Sequence, residues 1–106
     1  MKFTHTLAAS VAAALMATSA LAMTQQEHKA GLDQATAQYK ADKKSCDALK
    51  DNAKDVCMKE AKGKEDIAKA ELDAQYKPSA KATHKVADTR ADAAYEVAKE
   101  KCDDLK

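Results

Sequence analysis

The 106-residue chain has no tryptophan, one phenylalanine, one proline and two glycines. Gly31 and Gly63 stand far apart, so no glycine-rich loop is present to cradle a phosphate. A calcium loop and a Ser-His-Asp arrangement are also missing. None of the three cysteines forms a Cys-x-x-Cys pair, the usual arrangement for catalytic thiol–disulfide exchange. Carboxylates are plentiful, yet none sits in an apolar surround that would raise its pKa for acid–base work. The chain therefore reads as non-enzymatic, with no catalytic, cofactor-binding or metal residues expected.

Large apolar side chains are scarce as well. Past residue 22 the only aromatics are Tyr39, Tyr76 and Tyr95, and ten large aliphatic residues serve everything from Met23 to Lys106. Such a core is thin, so local helix propensity and a crosslink must carry more than their usual share. Neither charge sign dominates. Lys2 accounts for the excess of 18 basic over 17 acidic residues, which leaves the rest of the chain neutral. An interspersed, balanced surface gives little reason to expect nucleic acid or an anionic membrane as partner.

The one long apolar run comes first. Lys2 and His5 precede Leu7 to Met16, and Ala20-Leu21-Ala22 gives a small-x-small cleavage pattern. The run is too short to span a membrane, so residues 1–22 read as a signal peptide. The domain is then 23–106, periplasmic or secreted, where disulfides persist.

Beyond that segment only helix is supported. Seventeen alanines lie among lysines and glutamates, and β-branched residues are few. Asp55/Lys59, Glu60/Lys64, Glu65/Lys69 and Asp73/Lys77 each place an acid four residues before a base. Ala53, Val56, Cys57, Ala61, Ile67, Ala68 and Leu72 share one stripe. Pro78 ends that helix. Three helices are expected, near Gln25–Lys50, Ala53–Tyr76 and Ala80–Leu105, as an up-down-up bundle or a long helical hairpin.

Cys46 and Cys57 bracket Asp51-Asn52, the weakest helical point, because both of those side chains compete for backbone hydrogen bonds. With Asn52 as N-cap and Asp55 in the capping-box position, the two cysteines face each other across a turn. A disulfide between them is the preferred pairing, and Cys57–Cys102 is the variant. The rival is one unbroken helix, which would hold the two sulfurs roughly 16 Å apart. His28, Leu32, Ala35, Tyr39, Cys46, Leu49, Ala53 and Val56 keep a 3-4 spacing straight through the region and support that rival.

The third segment repeats the first. A shift of 56 residues aligns His28–Lys50 with His84–Lys106 at ten identities in 23 positions, including His28/His84, Tyr39/Tyr95, Cys46/Cys102 and Leu49/Leu105. The units are 28–83 and a truncated 84–106, which stops before a counterpart of Cys57. Cys102 is thereby left as a free thiol or for an intermolecular bond. Tyr39 and Tyr95 are expected in the core, and His28 and His84 at the end opposite the sulfurs.

The pattern Tyr-x6-Cys-Asp-x-Leu-x3-Ala-Lys-Asp-Val-Cys from Tyr39 to Cys57, followed by Lys59-Glu60-Ala61-Lys62, resembles a family of small exported Ala/Lys-rich proteins of gram-negative bacteria. Members often carry Gly-Asn where this chain has Asp51-Asn52, which favours a turn there, and no activity comes with the resemblance. The expected function is an exported structural or interaction protein of the cell envelope, stabilised by a disulfide. Its partner is an unknown protein, or a second copy joined through Cys102. The alternative is a periplasmic metal- or redox-responsive binding protein using Cys46, Cys57 and Cys102.

Overall fold

A computed structural model describes residues 22–103 and 105. The signal-peptide reading falls on residues 1–22 and so lies, apart from residue 22, outside the described residues. The described part is three helices: α1 (Gln25–Cys46), α2 (Asp51–Tyr76) and α3 (Ala80–Asp103), with no strand among the described residues. The all-α, up-down-up reading holds. A continuous helix through residues 45–58 does not, because the chain leaves helical geometry between Cys46 and Asp51.

Each helix end has a local cause. Thr24 accepts a hydrogen bond from the Glu27 amide at 3.1 Å, and the Glu27 carboxylate accepts one from the Thr24 amide, so α1 opens on a capping box. Its last turn tightens as the Leu49 amide reaches the Cys46 carbonyl at 2.9 Å. α1 thus stops four residues short of the expected Lys50. α2 starts at Asp51, whose φ of 54° lies in the left-handed region that glycine adopts most easily. Asn52 is not the N-cap. It is already helical, Lys50 holds the cap position without a side-chain bond, and the Asn52 amide group is spent elsewhere. Pro78 separates α2 from α3, and Ser79 Oγ accepts from the Ala82 amide at 2.9 Å to open α3.

α2 is the middle of an open layer. It packs against α1 on one side and α3 on the other, while among the described residues no Cα of α1 comes within 8 Å of α3. The single apolar stripe read on α2 is in fact two seams. Cys57, Leu72 and Tyr76 face α1. Gly63 faces Ala93 of α3, and Asn52, Lys59 and Glu71 reach α3 at Glu100, Glu96 and Arg90.

Small residues make these seams close. The buried positions are Cys46, Ala61, Gly63, Ala70 and one acid, Glu65. A methyl added at Gly31 would lie 2.7 Å from Leu72 Cδ2, and one at Gly63 would lie 3.0 Å from Ala93 Cβ. The α2 and α3 backbones therefore approach closely at Gly63, while Gly31 leaves room for the Leu72 side chain. Of the four acid–base pairs expected along α2, Glu65–Lys69 forms at 3.3 Å. Lys59 and Asp73 turn outward instead, to Glu96 of α3 and His28 of α1.

Candidate functional site

The sulfur end is built by the α1–α2 turn. Cys46 closes α1, Cys57 lies in the second turn of α2, and a disulfide joins them across Cα atoms 5.6 Å apart. Cys46 is 1% exposed, the most enclosed side chain of the fold. In the chain-entropy account, so short a loop contributes about 3 kcal/mol. The Cys57–Cys102 variant is excluded, because Cys57 is already bonded to Cys46. The three-sulfur metal set loses two thiolates to the same bond.

Asn52 ties the third helix to this end. Its Nδ2 donates to the Glu100 carbonyl at 2.9 Å, which places the C-terminal turn of α3 beside the start of α2. Cys102, two residues on, is a free and exposed thiol. All three cysteines lie at one end of the layer, as the topology required.

At the opposite end His28 and His84 take different partners. His28 Nε2 pairs with Asp73 Oδ1 at 2.7 Å, and its ring stacks on Tyr76 with centroids 4.4 Å apart. That cluster ties the start of α1 to the end of α2. His84 Nδ1 meets Asp88 at 3.0 Å on the exposed side of α3. Each histidine is occupied by its own aspartate. Among the described residues no three His, Cys, Asp or Glu side chains gather as a metal ion requires.

Several grooves run beside α2. One, of about 400 Å³, lies where His28, Tyr76, Ala70 and Ala82 meet Lys81 and Lys85. Another, of about 410 Å³, follows the α2–α3 seam and is lined by Lys59, Lys62, Lys69 and Lys85 against Asp66, Asp73, Asp92 and Glu96. Four lysines facing four carboxylates select no charge sign.

Among the described residues Glu65 is the one buried acid, and it is satisfied on its own helix. Lys62 approaches it at 2.9 Å and Lys69 at 3.3 Å, both lysines reaching in from solvent. The Lys62 hydrogen bond holds its carboxyl below the usual glutamate range, against a smaller opposing effect of burial, with Lys69 adding to the lowering. Lys62, between Glu65 and Asp66, is correspondingly raised above the ordinary lysine value by its hydrogen bonds to them. This cluster steadies the centre of α2 and offers no free donor or acceptor of unusual reactivity.

The core expectation for the tyrosines divides. Tyr39 is half-buried, with the ammonium groups of Lys43 and Lys62 5.2 and 5.5 Å from its ring. Tyr95, its repeat counterpart, is 63% exposed. Sequence reasoning gave Gly31 and Gly63 no packing role, paired Asp73 with Lys77 rather than His28, and passed over the Thr24–Glu27 box. Of these only the box had a readable signal, Thr-x-x-Glu before a helical run. No protein-family model matches the chain, and no curated protein or solved structure matches it either.

Proposed function

We propose that this chain is an exported, non-enzymatic helical protein of the cell envelope that works by presenting helix faces to a protein partner. The observation that carries this reading is the uneven use of its helices. α2 is engaged on two sides, whereas α3 turns Tyr95 and Cys102 to solvent and Leu105 is exposed beyond its end. Exposed aromatic and aliphatic side chains beside a free thiol suit an interface better than a substrate pocket. Balanced charge in the groove along the α2–α3 seam supports the same reading, since it offers no selective grip on a small ion. The resemblance to small exported Ala/Lys-rich proteins and the leader-like residues 1–22 agree with export, where the Cys46–Cys57 bond would persist.

Expression with the leader in a gram-negative host, followed by fractionation and native mass measurement, tests the proposal. The periplasmic fraction should yield a metal-free chain beginning at Met23, with one intramolecular disulfide and one free thiol. Cytoplasmic retention would overturn the export reading, whereas stoichiometric zinc or copper lost on Cys102→Ser would favour the periplasmic metal- or redox-responsive alternative built on Cys46, Cys57 and Cys102.

A further inference from the structure

Six positions of α3 alternate four and three residues apart: His84, Asp88, Ala91, Tyr95, Ala98 and Cys102. That is the spacing of a helix–helix seam. All six are exposed, and Leu105, the next in the series, is 87% exposed. The repeat shift of 56 maps them onto His28, Leu32, Ala35, Tyr39, Asp42 and Cys46 of α1. In α1 this same stripe is the docked face: all its members are half-buried or buried, His28 and Cys46 through direct partners on α2. α3 reaches α2 with a different side, through Ala93, Glu96 and Glu100. One stripe therefore occurs twice in the chain, once covered by a helix and once bare.

We infer that the bare stripe of α3 is a self-association face, covered in solution by the α3 of a second copy of this chain. This rests on the interaction-protein reading and names its partner. Two observations point to a second copy. First, the other edge of the layer cannot serve, because the outer face of α1 carries exposed Lys29, Asp33, Lys40 and Lys44. Of the two edges only that of α3 carries this stripe, so a contact between copies through it is isologous, closing at a dimer rather than running into a fibre. Second, the stripe mixes Tyr95 with the small Ala91 and Ala98, so a facing copy offers hollows for a ring. A seam along one helix, about 27 Å from His84 to Cys102, falls at the low end of protein interfaces. The expected dimer is reversible, with a dissociation constant in the micromolar range.

Sedimentation equilibrium on the secreted chain in a Cys102→Ala background, from low micromolar to near-millimolar protein, removes any covalent contribution and leaves the Cys46–Cys57 bond intact. The expected result is a monomer–dimer equilibrium. Ala91→Glu should weaken it at least tenfold with helicity unchanged, since Ala91 is exposed in the single copy. Ala37→Glu, on the polar face of α1, should leave it within about twofold. Tyr95→Ala gives a second variant that adds no charge and should also weaken association. A monomer at every concentration, or a dimer indifferent to Ala91→Glu and Tyr95→Ala, would overturn the inference. Either result would leave the exported, metal-free interaction reading standing on its own measurement.

Discussion

Glu65 shows how a buried charge survives in so thin a fold. Its carboxylate is covered, yet two lysines with solvated heads reach it from one turn above and below. Because its folded pKa lies below the unfolded value, the pair contributes stability above the ordinary glutamate range, and that contribution is lost as pH falls through the folded value. Glu65→Gln should cost about 1 kcal/mol at neutral pH, with the lysines' exposure limiting the loss. Urea titrations should find the variant closing on its parent as the pH is taken below about 4. Asp51 makes a second residue-scale case, as its positive φ suits glycine. Asp51→Gly should match or exceed the parent in thermal unfolding. Asp51→Val should lose about 1–2 kcal/mol, since a β-branched side chain tolerates that backbone poorly.

Sequence alone made some residues legible and left others mute. Cys46 and Cys57 could be paired because they sit equally far from a weak helical point, and a turn there brings them together whatever its details. Asn52 was misread because its capping preference is a local property, whereas its bond to the Glu100 carbonyl depends on where α3 arrives. Tyr39 and Tyr95 hold equivalent positions in the 56-residue repeat yet differ in burial, since only α1 has a helix lying over that stripe.

At the scale of single helices, the bounds followed the breakers. Pro78 and the Asp51 turn separate the three elements, and the ends fell within four residues of expectation. The seams were harder to see. Alanines spread over a broad arc of α2, so its wheel shows no boundary between the two seams, and two close contacts lie at glycines without any side chain. Gly63→Leu should therefore cost about 1–3 kcal/mol, because Ala93 Cβ is fixed to the backbone of α3 and the helices would have to separate. Gly31→Ala should be tolerated. Its new methyl meets only the tip of Leu72, which can turn aside, and the helix gains up to about 1 kcal/mol of propensity. Thermal unfolding of the two variants, compared with the parent, checks the contrast.

For the molecule as a whole, the layered arrangement explains why so few large side chains suffice. α2 lends one seam to each neighbour, so small residues and ion pairs such as Glu71–Arg90 and Lys59–Glu96 replace a common central core. Holding α1 in that layer falls to the disulfide at one end and the His28–Asp73–Tyr76 cluster at the other. The edge of α3 remains open, and Cys102 is left on it.

The staple between the first two helices is the claim on which this arrangement turns, and peptide mapping of the unreduced, alkylated chain tests it most directly. Tryptic cleavage should yield residues 45–50 joined through Cys46 to residues 55–59 through Cys57, with residues 102–106 carrying a single alkylated thiol. Recovery of residues 55–59 joined to residues 102–106, or of all three cysteines alkylated, would contradict it.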